Sequence, residues 1–104
     1  DIFIREDPEL KHQIHWIVPN SQKNRMEPIL IILEPGGATK MDDPHDGEEF
    51  GFVLAGSLNL HLGKEVFKVR KNESFYFKAV VSHYLSNPGS TNAKLLWVST
   101  PPSF

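Results

Sequence analysis

Leu58-Asn59-Leu60-His61-Leu62, then Gly63-Lys64, then Val66-Phe67-Lys68-Val69, is the stretch whose pattern decides the fold. Its leucines recur at every second position with Asn59 and His61 between them. That is the period of a strand with one face turned to a core, and not of a helix. Gly63-Lys64 is a turn former between two such runs. Outward from this pair, Ser74 to Phe77 and Leu95 to Ser99 are further short β-branched or aromatic runs. Between them, Pro35-Gly36-Gly37, Ala55-Gly56-Ser57, Lys71-Asn72-Glu73 and Pro88-Gly89-Ser90 supply turns. Eight prolines and seven glycines leave few places for a helix, and only Pro8 to Gln13 offers a helical turn. The pattern predicts an all-β chain of about nine or ten short strands, folded as two facing sheets or a rolled barrel. Phe50, Phe52, Phe67, Phe75, Tyr76, Phe77, Trp16 and Trp97 are the aromatic residues expected to fill its core. Gln13 to Val18 is expected to be an edge strand open to a partner, and Pro101-Pro102 to end pairing at the other terminus.

The chain's 104 residues and 11.8 kDa make one domain. A net charge of −2 and a pI near 6.2 exclude the dense positive field that grips nucleic acid. There is no cysteine, hence no disulfide, thiolate ligand or thiol nucleophile. The longest aliphatic run, Ile29 to Leu33, is too short to cross a bilayer, and Arg5-Glu6-Asp7 interrupts the only apolar start. These features point to a cytoplasmic protein with no membrane partner. Asp1 stands where a natural chain has Met, which suggests a piece cut from a longer protein.

Polar residues break the alternation in two places. Asp43 and His45, two apart, share a face if extended, and Glu49 lies about 13 Å further along an extended chain. Gly47 falls between them, and a turn at residues 46–48 returns Glu49 to the side of His45. In the second place, His83 and Asn87 share a face.

On these residues, from Pro35-Gly36-Gly37 to Asn87, the chain resembles the cupin superfamily. The second histidine of the first cupin motif falls on His45, its glutamate on Glu49 and its glycine on Gly56, while Asp43 occupies the first histidine's place. The second motif's histidine and asparagine fall on His83 and Asn87, although its two glycines and proline fall on Asn72, Val80 and Lys78. The stretch from His45 to Gly51 and the closing Leu96-Trp97-Val98-Ser99-Thr100-Pro101-Pro102-Ser103-Phe104 look like the C-terminal cupin of bacterial helix-turn-helix (XRE-type) transcriptional regulators. The resemblance implies a small double-stranded β-helix, or jelly-roll barrel.

His45, Glu49 and His83 together make two imidazoles and one carboxylate, a set suited to a divalent transition metal such as Zn, Fe, Ni or Mn. Asp43 is the candidate fourth ligand, and Asn87 supports the pocket wall. The plainer alternative is a metal-free cavity in which both histidines hydrogen-bond to Glu49. His61 reads as solvent-facing or at a cavity edge, His12 and His15 as surface or interface residues, and Lys78 as an exposed loop lysine. Gly51 leaves either a close approach for a ligand or backbone, or a bulge. Ser74, Ser82 and Ser86 form no catalytic triad with His83, so no catalytic residue is assigned.

The resemblance therefore implies an effector-sensing domain. A small molecule, with or without a metal, binds in the barrel of a homodimer, and DNA is reached only through an N-terminal domain outside this chain. The alternatives are a small stand-alone metal-dependent dioxygenase, isomerase or lyase, and a metal-free binding module.

Overall fold

The computed structural model describes residues 3–18 and 23–104. Among these the regular elements are nine strands: β1 (Phe3–Asp7), β2 (His12–Trp16), β3 (Glu27–Leu33), β4 (Glu48–Ala55), β5 (Ser57–Leu62), β6 (Glu65–Arg70), β7 (Ser74–Lys78), β8 (His83–Ser86) and β9 (Ala93–Thr100). The all-β expectation is met. A six-stranded sheet in the order β1-β2-β3-β9-β4-β7 faces a three-stranded sheet in the order β6-β5-β8.

Strict alternation drives the packing. In β3, Glu27, Ile29, Ile31 and Leu33 turn inward while Pro28, Leu30 and Ile32 turn out. In β9, Ala93, Leu95, Trp97 and Ser99 turn inward. Register then lines these residues up across the large sheet: Trp16, Ile29, Trp97, Gly51 and Phe75 form one inward row, and Glu27, Ser99, Glu49 and Phe77 the next. Leu58, Leu60 and Leu85 close the core from the small sheet.

Three expectations are corrected. The core is mainly aliphatic. Phe75, Phe77 and Trp97 are buried, but Phe50 (39% exposed), Phe67 (44%) and Tyr76 (58%) are not. Phe50 and Tyr76 are opposite one another in the register of β4 and β7, on the outer face. Period two shows that a strand has two faces but not which one points in.

Gln13 to Val18 is no edge, because β2 pairs with β1 on one side and β3 on the other. β1 carries the polar run Arg5-Glu6-Asp7 and is held by cross-strand contacts instead of burial. Phe3 packs on Trp16, the Arg5 guanidinium lies over the Trp16 ring at 5.2 Å, and Gln13 donates to Glu6. Nor does Pro8 to Gln13 make a helix. The Asp7 carboxylate accepts from the N–H groups of Glu9 and Leu10, Lys11 takes a positive φ of 55°, and His12 and Gln13 already belong to β2.

Two glycines are required by what lies against them. At Gly47, with φ +145°, a Cβ would sit 2.5 Å from the Thr100 carbonyl oxygen and 2.9 Å from Pro101 Cδ. At Gly51 the space is filled by the Phe75 ring, 2.3 Å from a built Cβ, so this glycine marks neither a ligand approach nor a bulge.

These obstacles differ in kind, and the difference is measurable. Gly51→Ala meets a side chain that can turn aside, and should cost about 1–2 kcal/mol. Gly47→Ala meets backbone at a φ that L-residues avoid, and should cost more, about 2–4 kcal/mol. Urea denaturation of both variants checks the order, and a Gly47→Ala that is the milder of the two contradicts it.

Candidate metal centre

Three segments bring the candidate site together. Glu49 is on β4, flanked in register by Phe77 and Ser99. His83 opens β8. His45 lies in the loop before β4, whose course is fixed by the β7–β8 connection: His45 N–H donates to the Ala79 carbonyl at 2.8 Å, and Ala79 N–H to the Gly47 carbonyl at 3.0 Å. The bend at Gly47 turns the chain between His45 and Glu49.

His45 Nε2 lies 3.0 Å and His83 Nε2 2.9 Å from the same atom, Glu49 Oε2. Ligand atoms from all three residues fall within 4.8 Å of one another. Glu49 and His83 are each only 1% exposed, whereas His45 is half-buried.

Asp43 is not part of this group. Asp42 and His83 face each other in an antiparallel bridge, with N–H to carbonyl distances of 2.9 and 3.0 Å in the two directions. Directly opposed residues share a face, so Asp42 points toward the site and Asp43 points away into solvent. Asp42 Oδ2 lies 3.7 Å from His83 Nε2. Asn87 shares the face of His83 but stands at the far end of β8. Its amide nitrogen donates to the Leu33 and Thr91 carbonyls and its oxygen accepts from Gly89 N–H, so it fastens the loop before β9.

The hydrogen-bond pattern tests whether the three residues fit a cation. His83 Nδ1 donates to the Val81 carbonyl at 2.9 Å, and His45 Nδ1 contacts the Asp46 carbonyl at 3.3 Å. A carbonyl only accepts, so each Nδ1 carries a proton and, in a neutral ring, each Nε2 carries the lone pair. Two lone pairs facing one carboxylate oxygen require either added protons or a cation among them. His83 Nε2, although close to Glu49 Oε2, is not aligned with it for a hydrogen bond, and Glu49 Oε1 is buried without any partner. Of these contacts only His45 Nε2 to Glu49 Oε2, at 3.0 Å, is aligned as a hydrogen bond, and ring nitrogens from two histidines converging on one carboxylate oxygen suit a shared ion. The carbonyl-anchored Nδ1 atoms are the supports that orient imidazole ligands.

Charge is strained here. Burial pulls the His83 pKa down, but the close approach and charge of Glu49, the Val81 carbonyl and the charge of Asp42 outweigh it, leaving it raised. Asp42 is also raised, by burial first and by Glu49, against the lowering pull of His83, His45 and Lys40.

Other histidines sit elsewhere. His61 stacks on Tyr84, with centroids 4.0 Å apart and planes within 6°, and its Nε2 is 2.7 Å from Ser86 Oγ on the outer face of the small sheet. Burial lowers its pKa. His12, expected at the surface or an interface, is buried, and its Nδ1 donates to the Ala38 carbonyl at 2.8 Å. It lines a cavity of about 230 Å³ with Arg5, Thr39, Lys40, Asp42 and Trp97 among others. Asp42 lines the cavity and stands beside the cluster, next to His83. Asp42, Thr39 and His12 had no spacing signal in the sequence, since their placement depends on pairing between distant segments.

The cupin domain family matches residues 29–99. The chain is a cupin. It is 30% identical over 70 residues to the xanthan biosynthesis protein XanB of Xanthomonas campestris, covering 67% of this chain and 15% of that protein. It is 27% identical over 89 residues to the HTH-type transcriptional regulator PuuR of Escherichia coli, covering 85% of this chain and 48% of PuuR. This cupin thus spans half or less of either relative. The crystal structure of the cupin domain of an XRE family transcriptional regulator from Enterobacter cloacae superposes with a TM-score of 0.78 at 19% identity, covering 89% of this chain and 99% of that one. That likeness is one of fold. Among the described residues no helix is long and apolar enough to cross a membrane.

The two histidines should titrate in opposite directions. In metal-free protein the His83 midpoint lies above its ordinary value near 6.5, so its stabilising contribution is complete below pH 6.5 and fades as pH rises through the folded midpoint. The His61 midpoint lies below 6.5, so its contribution is complete above that pH and fades as pH falls through the lower folded midpoint. Imidazole NMR resonances followed from pH 4 to 9 read both directly. A His83 midpoint under that of His61 contradicts the assignment.

Proposed function

We propose that this cupin is the effector-sensing half of a cytoplasmic transcriptional regulator, and that it acts as a homodimer with a divalent transition metal held by His45, Glu49 and His83. The observation that carries the reading is the match to PuuR, which covers most of this chain and about half of that HTH-type regulator. Asp42, rather than Asp43, is the neighbouring acid able to approach the ion. A metal bound there supplies a fixed positive charge and open positions for a ligand oxygen. The chain's own residues do the rest: the Val81 carbonyl orients His83, the Gly47 bend delivers Glu49, and half-buried His45 completes the set.

The large sheet offers a physical link from binding to assembly. Its inner face borders the cavity through Ile29, Ile31 and Trp97. On its outer face Pro28, Val98, Phe50 and Tyr76 form one register row and Leu30, Leu96 and Phe52 another. A second copy of the chain covering those rows would remove them from water. An effector that favours one twist of this shared sheet favours one dimer geometry, and an attached DNA-binding domain moves with it.

A metal-dependent enzyme is the second reading, favoured by the donor set itself, since two imidazoles and one carboxylate are also the ligands of oxygen-activating Fe(II) sites.

Titration calorimetry of the full chain with Zn(II), Ni(II), Mn(II) and, without oxygen, Fe(II) should give one ion per chain. Glu49→Gln should weaken binding at least tenfold. In sedimentation equilibrium the chain should be a dimer, and Phe50→Lys with Leu96→Lys a monomer. A monomeric parent chain defeats the assembly. Stoichiometric Fe(II) with steady oxygen consumption would replace the sensor by the enzyme.

A further inference from the structure

Among the described residues, three buried side-chain atoms lack any hydrogen-bond partner: Glu49 Oε1, His83 Nε2 and Trp97 Nε1. The first two are acceptors and suit a cation. The third is an N–H donor, which a cation cannot satisfy. Trp97 is 3% exposed and sits one residue pair from Glu49 on the same inward face, because Gly51 pairs with Trp97 and Glu49 with Ser99. Burying an N–H without an acceptor costs about 1–3 kcal/mol, a cost that an oxygen brought against Trp97 Nε1 would relieve.

The cavity beside it indicates what kind of molecule would bring that oxygen. Its walls are Ile14, Ile29, Ile31, Trp97 and Phe104, and its polar lining includes two cations, Arg5 and Lys40, against the single acid Asp42. Register sets Arg5 opposite Ile14, on the same side of the sheet, and its exposed side chain stands at the rim of the cavity. The volume of about 230 Å³ equals that of about eight water molecules. We propose that this cavity binds a small organic carboxylate, its anionic head drawn to Arg5 and Lys40, an oxygen accepting from Trp97 Nε1–H, and its short apolar body against Ile29, Ile31 and Phe104. This names the ligand class of the sensing site and rests on the reading that the barrel interior receives an effector.

The indole N–H resonances of Trp16 and Trp97 provide the readout in the intact chain. Benzoate and succinate are titrated against benzamide and succinamide, which share their shapes without the charge, and against 1,5-diaminopentane as a dication. A carboxylate should shift the Trp97 indole signal saturably and bind at least tenfold more tightly than its amide. Arg5→Gln with Lys40→Gln should erase most of that preference while Zn(II) uptake by the His45–Glu49–His83 cluster persists. Trp97→Phe, should it fold, should weaken the carboxylate at least fivefold. Amides binding as well as carboxylates would overturn the charge assignment yet leave an effector cavity standing, and so would binding of the diamine alone. No shift of Trp97 with any of the five compounds overturns both this inference and the effector reading.

Discussion

The paired backbone hydrogen bonds between Asp42 and His83 are the constraint on which the interior depends. β8 is a short strand at the edge of a three-stranded sheet, and its outer side is held by isolated bridges at Ala38–Ser86 and Asp42–His83, with Thr39 bonding Leu85 between them. These stitch the loop leading to His45 against the strand carrying His83. They also decide that Asp42 looks inward, and they set where the Gly47 bend must return Glu49. One residue of slippage there would exchange Asp42 for Asp43 and turn the cluster's neighbouring acid out to solvent.

Around that fastening the protein collects groups that resist burial. A carboxylate almost fully removed from water is expensive unless it is paired, and Glu49 has two imidazoles at one oxygen and nothing at the other. Nearby stands an unsatisfied indole N–H. The aliphatic core of Ile29, Ile31, Leu33, Leu58, Leu85 and Leu95 carries the stability that this arrangement subtracts. Polar strain is concentrated in one hollow, with satisfied packing elsewhere.

Much of this was legible in the sequence. Period-two leucines and regularly spaced turn formers announced the strands, and a glycine between His45 and Glu49 announced the bend that joins them. Parity was not legible. Alternation is symmetric until a partner sheet breaks it, which is why Phe50 and Tyr76 were expected inside and lie outside. Asp42 and His12 escaped for a related reason, since each owes its placement to a segment far along the chain. β1 escaped because cross-strand contacts hold its polar residues, leaving no hydrophobic period to read. His83 was reached by its place in a family motif, and no spacing from Glu49 could have shown that the two meet.

The large sheet is a partition with different surroundings on its two sides. Along β3 and β9, odd-numbered side chains look into the hollow and even-numbered ones look outward. Natural variation in these strands should therefore separate into two independent channels by parity alone, one answering to whatever is enclosed and the other to whatever the molecule leans against. A single-residue deletion within either strand would cross the channels at every later position in it, so changes of length should be accommodated in the connecting turns.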